Sequence, residues 1–246
     1  MLNPIVTVAA KELLDGWRDR RAIVSAALYS LMGPGVVAMV SLAVHDSQPV
    51  LVAMMSVFTL VAAFVGGMNV AMDAIAGERE RRSLVPLLIH PVSRLDLLLG
   101  KWLAVAVFGA AGLALNLVGF AILFHRLPPP LLLLGLVPLA LLAAALEIWI
   151  STLCRGIKEA HTYLSMLVFL PMGLGMFMVF SPVAGRGWWR FVPVAGHQLQ
   201  LAAGMGGARA DLPALLLLGL ETAILAGLAV VAAAHRLEQD DVVYGG

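Results

Sequence analysis

The chain has 246 residues, 61% of them hydrophobic and 13% charged, with a formal net charge of +1. Ordinary soluble domains hold roughly 45–50% apolar and about 25% charged residues, so the excess here cannot be hidden in one core and must face lipid. The near-neutral balance gives no field for nucleic acid, and a single cysteine, Cys154, excludes an intramolecular disulfide.

In chain order, residues 1–21 read as an amphipathic helix. At 100° per residue Leu2, Ile5, Val6, Ala9, Leu13 and Trp17 share one face, while Lys11, Glu12, Asp15, Arg18 and Asp19 share the other. A Trp and basic residues beside an apolar run describe an interfacial helix along the inner leaflet; a soluble helix packed on a partner is the other reading. Six stretches then reach the roughly 20 apolar residues that crossing a bilayer core requires. They are 22–44, 50–72, 102–124, 131–154, 162–183 and 213–234. The first is too long for the apolar region of a cleaved signal and follows Glu12, Asp15 and Asp19, so it reads as a retained anchor. Lys11, Arg18, Arg20, Arg21, Arg79, Arg81, Arg82, Arg94, Lys101, Arg155, Lys158 and Arg236 fall on one side of these spans. Only Arg126, Arg186, Arg190 and Arg209 fall on the other. The positive-inside rule therefore puts both termini in the cytoplasm.

The connection 73–101 is the longest on the basic side and carries the densest charge in the chain. Ser83 and Ser93 stand where N-caps belong, Ser93-x-x-Asp96 is a capping-box pattern opening the third span, and Pro91 stops a short helix between them. Mixed-sign charge flanked by apolar turns suits docking into a partner's cleft. A plain positive-inside loop would explain the arginines, but not Glu78, Glu80 or the apolar turn 84–89. On the opposite side the connection 184–212 is unusually apolar, with Trp188, Trp189, Phe191 and a segment 193–203 ended by Gly204. It reads as short helices capping the bundle, with proline near the start and glycine past the end, or as a loop holding aromatic-belt residues.

Glu147 and Glu221 are the acidic residues well inside spans. Each costs about 2.5–3.5 kcal/mol at mid-membrane, so neither should face lipid. With Asn69 and Asn116 at similar depths they form a candidate transport path; interhelical hydrogen bonding is the structural alternative. Gly33-Pro34-Gly35, Gly66-Gly67 and Pro171 with Gly173 and Gly175 mark kinks or close helix contacts. The sequence has no GxxxxGK[ST] loop, no HExxH and no GxSxG. Its six histidines, His45, His90, His125, His161, His197 and His235, fall in loops or at span ends, where a hydrated imidazole costs little. No catalytic residue, metal site or cofactor is expected in this chain. The pattern gives an all-α membrane protein of six transmembrane helices, a single domain over 1–246.

Ala76-Gly77-Glu78-Arg79-Glu80-Arg81-Arg82-Ser83-Leu84-Val85-Pro86-Leu87-Leu88, followed by Pro91-Val92-Ser93-Arg94 and Leu99-Gly100-Lys101, resembles the permease subunits of type-2 ABC exporters. Within these it is most similar to the sodium-efflux, NatB-like branch. Lys158-Glu159-Ala160-His161-Thr162-Tyr163-Leu164-Ser165 is similar to the Lys-Glu-Ala-Gln-Thr-Tyr segment that opens that branch's fifth span, and Pro193-Val194-Ala195-Gly196-His197-Gln198 is a weaker third match. Members of that branch often carry a large insertion between the first two spans, where here only His45–Pro49 joins them. The cargo therefore stays open between sodium and an amphipathic small molecule, lipid or peptide.

The resemblance implies a transport subunit in the cell (inner) membrane, with its N-terminal helix as an elbow. It implies a coupling helix through which Glu78, Arg79, Glu80, Arg81 and Arg82 pass on the motion of a separate ATPase. It also implies two ATPase subunits, which bind ATP and Mg, and a second permease copy or homologue. Two readings from other classes stand beside it: a membrane-embedded lipid-modifying enzyme using Glu147 or Asp73, and an anchor recruiting a cytosolic complex.

Overall fold

A computed structural model describes residues 3–43, 48–84, 92–125, 130–181, 187–209 and 211–238. Among them every regular element is helical. Helix α1 (Pro4–Arg18) starts where the Asn3 side chain accepts the Ile5 N–H at 3.1 Å and Pro4 takes the first helical position. Asp19 ends α1 and its carboxylate then accepts the N–H groups of Arg21 and Ala22 at 2.9 and 3.2 Å, capping α2 (Arg20–Ala43). One residue thus makes the corner between them.

Six helices are long and apolar enough to cross a membrane. The chain is a multi-pass membrane protein. The first span is α2. The second, Gln48–Glu80, is interrupted: α3 (Gln48–Val65), a turn at Gly66–Gly67, α4 (Met68–Met72), a wide π-helical segment (Asp73–Gly77) and α5 (Glu78–Glu80). The third is α6 (Arg94–Phe124), the fourth α7 (Pro130–Leu153), the fifth α8 (Ile157–Phe180). A 3₁₀ turn (Gly187–Phe191) and α9 (Ala195–Met205) precede the sixth, α10 (Leu212–Arg236). The second and fourth spans lie at the centre, whereas the first and fifth turn most of their surface outward. The main apolar core joins Ala71, Ile75, Leu98, Val105, Ile148, Leu164 and Val230 from five of the spans.

Two spans exceed the bilayer. At about 1.5 Å per residue, the 33 residues of the second and the 31 of the third run roughly 45–50 Å, against a hydrocarbon core of about 30 Å. The surplus is about a dozen residues each, and the charged residues of both helices gather at one end. The Ser93 N-cap is present as read: its hydroxyl accepts the Asp96 N–H at 2.9 Å. The third helix opens at Arg94, as that cap predicts, two turns before the apolar stretch from 102, and buries Lys101 within those turns. The short helix expected after Ser83, with Pro91, lies outside the described residues.

The second span breaks at Gly66–Gly67 because other backbones reach it there. A Cβ on Gly66 would lie 2.9 Å from the Phe108 carbonyl oxygen, and one on Gly67 2.7 Å from that of Val105. Pro34 and Pro171, by contrast, sit inside continuous helices. At the other end, the helix expected over 193–203 is α9, two residues later. His197 within it is buried, its Nε2 3.1 Å from the Gly135 carbonyl oxygen, so the expected hydrated imidazole is corrected. Four spans and the outer turn enclose α9, and that tertiary cover is not visible in the local sequence.

Candidate functional site

Charge gathers at the projecting basic end. Lys101 on α6 has no exposed surface and its Nζ lies 2.8 Å from Glu12 Oε1 on α1 and 2.9 Å from Glu78 Oε1 on α5. Lys11, half exposed, reaches the same two oxygens at 3.1 and 3.6 Å and Asp15 at 3.5 Å. Burial would lower the Lys11 amine, but Glu12, Glu78 and Asp15 outweigh it and hold its pKa above the ordinary lysine value. Glu12 was expected on the outward polar face of α1 and is instead buried. The packed face is Ile5, Val8, Ala9, Glu12 and Gly16, with Ile5 and Val8 against Gly100 and Gly16 against the Phe108 ring. That leaves Val6, Leu14 and Trp17 as an uncovered apolar stripe and Lys11, Asp15 and Arg18 as a polar one.

The rest of the segment serves helix ends. Arg79 donates to the carbonyl oxygens of Cys154 and of Thr152, the latter at 3.0 Å, where α7 runs out of intrahelical donors. Glu80 Oε2 accepts the Ile157 N–H at 2.7 Å, supplying α8 with the cap that Gly156 lacks. Each charge has the sign that the helix dipole favours at that end. Arg81 grips Asp73 with two hydrogen bonds of 2.6 and 3.0 Å, and Asp73 holds its guanidinium pKa above the usual range. Arg82 is exposed, with a left-handed backbone at φ 58°. Arg94 donates to the Leu237 carbonyl oxygen at 2.6 Å, closing the end of α10. Of the five coupling candidates, four engage the chain itself and Arg82 faces outward.

The four intramembrane candidates are not brought together. The Asn69 amide donates to Ser25 Oγ at 2.8 Å; that of Asn116 donates to the Ser30 carbonyl oxygen at 2.9 Å and its oxygen faces Thr59 Oγ1 at 3.4 Å. Both fasten the first span. Glu147 is buried, its Oε1 without a hydrogen-bond partner and its Oε2 against the Gly67 backbone. One turn further, Ser151 Oγ accepts the Ala76 N–H of the π segment at 3.2 Å, so α7 lines the irregular stretch of the second span. Glu221 is partly buried on α10, its Oε2 unpartnered. Among the described residues no hydrogen bond or ion pair links any two of these four, and no group of three or more His, Cys, Asp or Glu converges as a metal site.

Sequence reasoning missed Glu12 and Lys101 as partners of Glu78. The available signal was Lys101 itself, a cation that follows an apolar run and a glycine within helical spacing of the Ser93 cap.

Residues 6–190 match the family described as ABC-2 family transporter protein. The chain is 37% identical over 151 residues to ABC transporter permease protein NatB of Bacillus subtilis (strain 168), covering 55% of this chain and 39% of that one. It is 36% identical over 159 residues to the probable ABC transporter permease protein NosY of Pseudomonas aeruginosa, covering 56% and 58%. With NosY of Stutzerimonas stutzeri the identity is 32% over 130 residues, covering 48% and 47%. The matched part thus spans about half the length of these curated relatives.

Proposed function

The chain belongs to the ABC-2 family of transporter proteins, and from that premise we propose that it is the transmembrane permease subunit of an ATP-driven exporter. ATP and Mg are bound by two copies of a separate ATPase, a second permease completes the unit, and α1 serves as the elbow at the inner leaflet. One observation carries the reading. The second span is longer than a bilayer crossing needs, and its charged end is fastened to α1, α6, α7 and α8 through Glu78, Arg79 and Glu80. A push on that end reaches four helices at once. The outward Arg82 and half-exposed Arg81 are the side chains left to meet the ATPase. The ATPase supplies the bias, and the permease supplies two conformations that differ in outward access. The uncovered fifth span, with Met166, Phe169 and Phe180 exposed, offers a face for the second permease.

The test is co-expression of the Arg81→Glu/Arg82→Glu variant with a P-loop ATPase that the parent chain captures. It is expected to insert normally and to lose capture of the ATPase or the ATP-dependence of export. Undiminished capture and export reject the coupling role. Sodium ions and amphipathic molecules form the cargo panel for vesicles reconstituted with the parent complex. Efflux of ²²Na⁺ would place the chain in sodium transport, and its absence beside export of an amphiphile would exclude that cargo.

A further inference from the structure

We propose that Lys101 is a positioning residue for coupling: held between Glu78 and Glu12, it makes the N-terminal helix part of the body that the ATPase moves. This rests on the permease reading above. Glu78 lies in the segment assigned to the ATPase, Glu12 on α1, and Lys101 on the projecting base of α6; one ammonium bridges both carboxylates at 2.8 and 2.9 Å. Burial decides what such a bridge can do. At an exposed pair, water replaces either partner and the helices slip past one another at little cost. Here the ammonium has no exposed surface and the two carboxylates keep only 9% of theirs. Parting them would strand charge away from water.

The segment therefore has two kinds of attachment. Towards α7 and α8 it is held by hydrogen bonds from Arg79 and Glu80 to backbone groups at helix ends. Towards α1 and α6 it is held by Glu78 through charge. Apolar contacts keep the two helices in register, with Val8 closed on Gly100 and Gly16 on Phe108. Any displacement of Glu78 carries Glu12 with it, and α1 follows as a rigid rod. Its uncovered stripe of Val6, Leu14 and Trp17 then moves against whatever lies beside it.

The experiment uses the full chain with its ATPase in lipid nanodiscs, in a Cys154→Ala background, spin-labelled at Leu14→Cys on α1 and Leu228→Cys on α10. Both positions are exposed. Distances are compared without nucleotide and after trapping with ATP and orthovanadate. The parent is expected to shift between the two states. The isosteric neutral variant Lys101→Met/Glu12→Gln/Glu78→Gln is expected to lose that shift while ATP hydrolysis continues. If that variant fails to fold, the charge swap Lys101→Glu/Glu78→Lys, which keeps one cation and two anions in the cluster, is expected to restore the shift that Lys101→Glu alone abolishes. A neutral variant that shifts like the parent, a swap that inserts and hydrolyses ATP without restoring the shift, or a parent whose α1 stays still overturns the inference alone. A parent that captures no ATPase overturns the permease reading and this inference with it.

Discussion

Lys101→Met keeps the bulk of the side chain and removes its charge, leaving Glu12 and Glu78 facing each other inside the protein. Breaking a buried ion pair from one side costs about 3–5 kcal/mol, because the remaining charge is desolvated without compensation. Lys11 stays 3.1 and 3.6 Å from the same oxygens and is 53% exposed, so it offsets on the order of 1 kcal/mol. A net loss of about 3 kcal/mol remains, which for a domain of this size lowers Tm by roughly 6–12 °C. Lys11→Met, acting on an exposed partner, is expected to cost below about 1 kcal/mol. The assay is thermal melting of the purified protein in mixed detergent–lipid micelles, read as the monodisperse fraction on size exclusion. Adding Glu12→Gln and Glu78→Gln to Lys101→Met is expected to restore most of the loss, since uncharged isosteres leave nothing stranded. Equal shifts for Lys101→Met and Lys11→Met, or no recovery in the triple variant, would refute the assignment of the cluster as a buried network.

Gly67→Ala pushes a Cβ to within 2.7 Å of the Val105 carbonyl oxygen and 2.9 Å of Glu147, an overpacking worth about 1–3 kcal/mol. Gly173→Ala on α8 meets open space and should be neutral or gain up to about 1 kcal/mol of helix propensity; the two melts should move in opposite senses. Burial pushes the His197 pKa down to about 4 from 6.5. The unfolded chain therefore takes up the proton first, and stability that is complete above pH 6.5 declines as pH falls towards 4, by up to about 3 kcal/mol. His197→Gln should flatten that part of the pH–stability curve, and an unchanged slope would remove His197 as its source. Burial, with Glu159 adding to it, raises the Cys154 thiol to about 11 from 9.0. Maleimide labelling at pH 8 should then run at least about 100-fold slower than in the urea-unfolded chain, and rapid labelling of the folded protein would contradict the packing of Cys154 under Arg79.

Six spans could be read from the sequence because length and apolarity are local properties, and Ser93 could be read as a cap because its partner is three residues away. The boundaries of the second and third spans could not. Counting Lys101 among the loop cations placed the third span's start at 102, when the lysine belongs to a helix beginning at Arg94 and is neutralised by residues 89 and 23 positions away. Glu12 was misplaced for a related reason. Helical periodicity sorts residues into an apolar and a polar face, whereas α1 has three sectors, and the protein-facing one includes a glutamate whose partner lies on another helix. Glu78 to Arg82 stood out as a segment, but that Arg79 and Glu80 close the ends of α7 and α8 depends on contacts about 75 residues apart in the chain. The partners of Asn69 and Asn116 on the first span give the reading of interhelical hydrogen bonding a specific content.

The two media the chain occupies explain why its helices are joined in two ways. In hydrocarbon, apolar side chains gain nothing by leaving lipid, so association there depends on close approach. Gly66 meets Gly109 and Gly112 backbone to backbone. The second and third spans are longer than the hydrocarbon is thick, and at their charged ends helices must hold one another against competition from water. There the joints are charged: Lys101 buried between two carboxylates, the half-buried Arg79 and Arg94 on carbonyl oxygens, and the exposed Glu80 on an N–H group. The division has a mechanical consequence. Contacts between bare backbones lack interlocking side chains and resist sliding weakly, whereas buried ionic joints resist separation strongly. In the proposed permease, force applied at the basic end would be held there as a unit and passed up the second span to Gly66–Gly67, where the helix is already interrupted.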